Sequence, residues 1–142
     1  MSSQLDSLKT RIEELGGPDA YPVVPLELFF EGNDDIAAIG PNLDPHPGVQ
    51  TFYRVLRGIQ ERPEVSDVVL QVSEVLEGDG EWPFVEAAYV ITTASDEQVR
   101  EWANGLRPDL PVEEGRSWLY ASPPPGAPSV PDGYHVVTLY WD

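Results

Sequence analysis

Two β-prone runs joined by a glycine-rich turn constrain the fold of this chain more than any other feature. The runs are DVVLQVSEVL (residues 67–76) and VEAAYVITT (residues 85–93), and both are rich in the β-branched residues that strands favour. EGDGEWPF separates them, and its Gly78-Asp79-Gly80 has the composition of a tight β-turn. The pattern predicts a β-hairpin.

Helical periodicity appears in three other segments, residues 5–15, 48–61 and 95–106. The third segment begins with Ser95 and Gln98, whose spacing matches a capping box. The apolar stripes of the three segments are Leu5, Leu8, Ile12 and Leu15, then Phe52, Val55, Leu56 and Ile59, then Val99, Trp102 and Leu106. Each stripe predicts an amphipathic helix that buries one face.

Two further runs have the composition of strands. VVPLELFF (residues 23–30) is predicted to be an edge strand or a strand that starts late, because Pro25 has no N–H to donate to a neighbouring strand. YHVVTLYW (residues 134–141) is predicted to be the last strand. A proline-rich connection, residues 108–133, precedes it and has room for one short strand at residues 118–121.

Without the N-terminal helix (residues 1–17) and the proline-rich connection, the order of elements is β-α-β-β-α-β. That order is typical of the ferredoxin-like split βαβ fold, an antiparallel sheet with two helices on one face. The sequence therefore predicts a single α+β domain over residues 1–142. We call the connection of residues 31–48 the acidic loop, and its candidate site spans residues 31–46. In that topology the first and third strands are parallel, so the acidic loop would lie beside Asp96 and Glu97.

The charge balance restricts the kinds of partner. The chain has 25 Asp and Glu against 8 Lys and Arg, a net charge of −17, and no cysteine. Such a surface repels nucleic acid and anionic membranes and favours a basic protein partner. Two simpler explanations of the charge are solubility and adaptation to high salt. The lack of cysteine excludes disulfides, thiolate zinc sites and cysteine nucleophiles.

No stretch of the sequence approaches the roughly 20 apolar residues that a membrane span needs. The first residues also contain no apolar run of signal-peptide length. We therefore expect a cytoplasmic protein, and no motif in the chain indicates a cofactor.

The acidic loop concentrates the candidate site residues, and one alternative for it is a metal or catalytic site. The possible ligands are Asp34, Asp35, Asp44 and His46. A calcium loop alternates its oxygen ligands, whereas Asp34 and Asp35 are adjacent and no later glutamate has the right offset. The second histidine, His135, is far away in the last predicted strand, and the chain has no nucleophile-elbow, zincin or phosphate-loop motif.

The interpretation that we favour is that the protein is a non-enzymatic binding protein and that the acidic loop is its contact surface for a basic protein partner. The loop's apolar residues Ile36, Ile39 and Leu43 are expected to fold inward and leave the carboxylates outside. The predicted partner-binding residues are Glu31, Asp34, Asp35, Asp44, Tyr53, Trp82, Asp96 and Glu97, with the two aromatic residues as anchors. A simpler alternative is local structure, an Asx turn at Asp34 or Asp35 and a helix cap at Asp44.

The runs FFEGNDD, IGPNL, HPG, FYRVLRGI and ERPEVSDVVLQV give the chain a resemblance to small, acidic, uncharacterised bacterial proteins. The resemblance covers residues 22–93 and implies no activity and no site residues. A small acidic protein without catalytic motifs suits the role of an immunity protein, which binds and neutralises a toxin that is often a basic nuclease.

Overall fold

An antiparallel sheet with helices packed against it forms the framework of the protein. The computed structural model describes residues 3–75, 81–108, 118 and 123–141. The helices are α1 (Ser3–Glu14), α2 (Leu26–Phe30), α3 (Val49–Gln60) and α4 (Asp96–Trp102), and the strands are β1 (Val23–Pro25), β2 (Val65–Glu74), β3 (Phe84–Thr92) and β4 (His135–Tyr140). The α+β class is confirmed.

The four strands follow the order β1-β2-β3-β4, and each pairs antiparallel with the next. In the register, Leu70 of β2 pairs with Val24 of β1 on one side and with Ala88 of β3 on the other, and Ala88 in turn pairs with Leu139 of β4. The predicted pairing of the two long strands is confirmed, and their predicted turn at residues 78–80 lies outside the described residues. The ferredoxin-like order is not confirmed, because β2 separates β1 from β3.

The prediction of one strand over residues 23–30 was wrong beyond the third residue. The strand ends at Pro25, and α2 begins at Leu26. Leu26, Phe29 and Phe30 have the i, i+3, i+4 spacing of a helical face, and all three are buried. The helix therefore buries one side of an apolar run that resembles a strand when only its composition is considered.

The main core lies between the helices and one face of the sheet. Leu8 and Ile12 of α1, and Phe52 and Leu56 of α3, are fully buried there, as the predicted stripes require. The capping box of α4 is also confirmed: Ser95 Oγ accepts from the Gln98 N–H, and the Gln98 side chain accepts from the Ser95 N–H.

The opposite face of the sheet has a smaller apolar cluster that is covered in part by the proline-rich connection. The cluster comprises Val23, Val69, Tyr89, Ile91 and Val136. Trp118 packs edge-on against the Tyr89 ring at 4.8 Å, and the Val23 N–H donates to Pro125 O at 2.9 Å. The short strand predicted at residues 118–121 falls outside the described part of the chain apart from Trp118.

Among the described residues, the longest helices have twelve residues, and none has the length and apolar character to cross a bilayer.

Candidate interaction surface

The start of the acidic loop is held by amide side chains. Asn33 is buried, and its Nδ2 donates to Phe29 O at 3.2 Å while its Oδ1 accepts from the Asp35 N–H at 2.9 Å. Gln50 of α3 donates from Nε2 to Phe30 O at 2.8 Å and to Asn33 O at 2.7 Å. These bonds satisfy the carbonyls of the last two residues of α2 and of Asn33, so the chain leaves the helix in a defined direction.

Asp35 holds the middle of the loop. Its Oδ1 accepts from the Ala37 N–H at 3.0 Å and caps a single 3-10 turn, Ile36–Ala38. Its Oδ2 lies 3.4 Å from the Trp82 N–H, just before β3. The Asx turn that the sequence offered as an alternative for Asp35 is therefore what the structure shows, and the carboxylate is used within the protein.

His46 holds the end of the loop. Its Nδ1 accepts from the Gly48 N–H at 2.9 Å, and its Nε2 lies 2.8 Å from Ile39 O. A neutral imidazole offers one acceptor and one donor, which is what this pair of contacts needs. The ring also packs against Phe52 at 5.6 Å. Both ring nitrogens are therefore engaged by the backbone of the loop.

The possible metal ligands do not come together. Within the described residues, no three or more His, Asp and Glu side chains form a group that could hold an ion. Asp35 and His46 direct their polar atoms at backbone groups, as described above. The proposed capping role of Asp44 was wrong, because Gly48 is the N-cap of α3 and no side chain bonds there. Instead, the guanidinium of Arg107 donates to the backbone oxygens of Asp44 and Pro45.

The apolar residues of the loop divide into two groups. Ile39 is buried and forms a parallel bridge with Val85 of β3, and Leu43 is partly buried against the core. The expectation that Ile36 also folds inward was wrong, because the residue is 56% exposed. In the 3-10 turn it is Ala38 that enters the core, and Ile36, at the first position of the turn, points outward.

The remaining carboxylates of the acidic loop form no ion pair with another described residue. Glu31, Asp34 and Asp44 are exposed. In the part of the chain that the structure describes, the ion pairs within 4.0 Å are Arg11–Glu14, Arg62–Glu64 and His135–Asp96. None of them involves the loop, so these three carboxylates remain available to another molecule.

Two of the predicted partner-binding residues, Glu31 and Tyr53, lie close together in the structure. They line a groove of about 350 Å³ between α2 and α3, with Glu27, Arg57 and Gln60. The Tyr53 ring is stacked on Phe30 at 5.1 Å. Glu27 and Arg57 were missed by the sequence interpretation, although Glu27 lies four residues, about one helical turn, before Glu31, the C-cap residue of α2.

The other predicted residues lie elsewhere. Trp82 is only 6% exposed and packs edge-on against Phe29 at 6.4 Å, so its ring belongs to the core. Asp96 Oδ1 lies 3.8 Å from His135 Nε2, and His135 pairs with Thr92 at the end of β3. Asp35 instead contacts Trp82, which precedes the start of β3. Glu97 lines a separate open groove on α4 with Arg100, Glu101 and Asn104. The loop segment at Asp35 and the segment at residues 96–97 therefore do not form one pole.

These features define a small acidic α+β protein with an internally braced surface loop. The chain belongs to the family described as Uncharacterized protein YfbO family, which matches residues 3–139. It is 36% identical over 131 residues to the Uncharacterized protein YfbO of Escherichia coli (strain K12), and the alignment covers 91% of this chain and 89% of that protein. No solved structure matches the chain. The resemblance to uncharacterised bacterial proteins is thereby confirmed.

Proposed function

We propose that this protein is a non-enzymatic binding protein that uses the acidic loop to bind a basic protein partner, as an immunity or regulatory protein does. One observation carries the proposal: the side chains that brace the loop are different from the side chains that it exposes. Asn33, Asp35 and His46 bond to backbone groups. Glu31, Asp34 and Asp44 are exposed and lack ion pairs within the described residues.

A braced loop suits recognition for an entropic reason. A flexible loop loses conformational freedom when a partner binds, and that loss reduces the affinity. Here the hydrogen bonds of the loop already hold its backbone, so less freedom remains to be lost. Carboxylates on such a backbone can pair with Lys or Arg side chains in a fixed arrangement.

The net charge of −17 adds a long-range contribution. It attracts a basic partner and accelerates the encounter, an effect that salt weakens. We place this encounter in the cytoplasm, in keeping with a chain that has no cysteine to stabilise it in an oxidising compartment.

The test compares two double variants that remove the same charge. Glu31→Gln with Asp34→Asn changes the loop, and Asp19→Asn with Asp132→Asn changes two exposed carboxylates outside it. Affinity is measured for a lysine-rich peptide and for basic products of adjacent genes, at several salt concentrations. We expect the loop variant to bind several-fold more weakly, with a shallower salt dependence, and the control variant to change much less.

Equal losses in the two double variants would mean that binding follows net charge and not the acidic loop. An unchanged affinity in the loop variant would contradict the proposal outright.

A further inference from the structure

We propose that Ile36 is the apolar anchor of this surface, and that the partner carries an apolar pocket rimmed by basic side chains. The inference rests on the proposed function and adds to it the chemistry of the partner. Interfaces derive most of their affinity from a few well-placed anchors, while the surrounding charges govern encounter and specificity. The exposed carboxylates alone would govern encounter and specificity, but they would not supply the affinity that an anchor gives.

The exposure of Ile36 is unusual for this chain. In the described ranges, Ile36 and Val130 are the exposed large hydrophobic residues, at 56% and 41%. Single exposed apolar side chains are common on soluble proteins, so the exposure by itself indicates little. What distinguishes Ile36 is the rigidity of its surroundings.

The turn that carries Ile36 is fixed on both sides. Before it, Asp35 is held by the Asn33 side chain, caps the turn and reaches the Trp82 N–H. After it, Ala38 is buried and Ile39 pairs with Val85. The backbone therefore presents the sec-butyl side chain of Ile36 from one position, and a pocket that accepts it need not order the loop.

The charges near Ile36 indicate which kind of molecule covers it. Asp34 is exposed two residues before it, and Glu81 is exposed directly before Trp82, the residue that Asp35 contacts. A second copy of this chain would bring the same carboxylates and the same net charge of −17 against them, which opposes self-association. A basic protein surface with an apolar pocket complements both the side chain and its surroundings.

The test uses two peptides with the same number of lysines, one that alternates leucine with lysine and one that alternates serine with lysine. The variants are Ile36→Ser, the matched control Val130→Ser and the loop double variant Glu31→Gln with Asp34→Asn. Binding is measured by fluorescence anisotropy at low and moderate salt, and thermal unfolding is recorded for each protein.

We expect Ile36→Ser to bind the leucine peptide about tenfold more weakly and the serine peptide as the wild type does, because only the first peptide offers an apolar contact. The salt dependence should stay unchanged, since no charge is removed. A further variant, Ile36→Leu, should keep the wild-type affinity because it retains an apolar side chain, and Val130→Ser should not alter it. The thermal midpoint of Ile36→Ser should equal that of the wild type, because the side chain is exposed.

Equal affinity of wild type and Ile36→Ser for the leucine peptide would overturn the inference, as would an equal loss in Val130→Ser. A wild-type dimer in sedimentation that Ile36→Ser abolishes would identify a second copy as the occupant and would also overturn it. The proposed function fails separately, when the loop double variant binds the serine peptide as tightly as the wild type does.

Discussion

The backbone N–H of Trp82 lies 3.4 Å from Oδ2 of Asp35, although the two residues are 47 positions apart in the chain. The contact joins the 3-10 turn of the acidic loop to the segment that enters β3. The second oxygen of the same carboxylate caps that turn. One side chain thus contributes both to the local conformation of the loop and to its position on the sheet.

Asp35 and its neighbour Asp34 should therefore respond differently to substitution. Asp35→Ala removes a cap and a tertiary contact and should lower the free energy of unfolding by about 1 to 2 kcal/mol. Asp34→Ala removes an equal charge from an exposed site and should change it by no more than about 0.5 kcal/mol. Urea denaturation of the two variants measures the difference, and similar values for both would contradict the bracing role of Asp35.

His46 is expected to contribute stability through both of its nitrogens. His46→Ala removes the bonds to Gly48 and Ile39 and should destabilise the protein by about 1 to 3 kcal/mol. His46→Asn keeps an acceptor two residues before the Gly48 N–H, as in an Asx turn, and should recover part of the loss. Chemical denaturation should give a free energy of unfolding that falls from the wild type to His46→Asn and then to His46→Ala. A His46→Asn variant as unstable as His46→Ala would show that the Gly48 bond is unimportant.

Trp141 should be sensitive to loss of its indole N–H. Its Nε1 donates to Leu106 O at 2.9 Å, and both residues are buried. Trp141→Phe leaves that carbonyl without its partner and should cost about 1 to 3 kcal/mol. Trp102→Phe is the control: Trp102 is half-buried under the Arg62 guanidinium, so its loss should be smaller. Thermal unfolding measures the stability lost in each variant, and equal losses in the two would contradict the role of the Leu106 bond.

Two glycines should give effects of opposite sign. Gly40 has φ +59°, and a Cβ there would lie 2.9 Å from Cζ of Phe52. Gly40→Ala should therefore destabilise the protein by about 1 to 2 kcal/mol or more. Gly58 lies within α3 with no neighbouring atom within 4 Å of an added Cβ, so Gly58→Ala should stabilise the protein by about 0.5 to 1 kcal/mol. Denaturant midpoints of the two variants should shift in opposite directions.

Much of the fold could be predicted because its signals are local. The hairpin strands β2 and β3, the buried stripe of α3 and the capping box of α4 each follow from side chains a few positions apart. Residues 26–30 form a helix where a strand was predicted, because their composition fits a strand while their burial follows a helix. Composition and periodicity competed there, and packing of Phe29 and Phe30 into the core decided between them.

The site was less predictable. The carboxylates of the acidic loop were identified, but the bracing of the loop depends on contacts between Asp35 and Trp82 and between Asn33 and Gln50, pairs that are distant in sequence. Ile36 was expected to pack inward, but Ala38 takes the buried position of the turn instead. Hydrophobicity indicates that a side chain gains from burial, but it does not indicate which of two neighbours the core has room for.

The sequence by itself determined the acidic character, the α+β class and most of the helices and strands, because charge and periodicity are properties of neighbouring residues. Only the tertiary structure decided the strand order β1-β2-β3-β4, the groove that joins Glu31 to Tyr53, and the exposure of Ile36. Those features depend on which distant segments pack together, and packing is settled by the shape of the whole core and not by any local pattern.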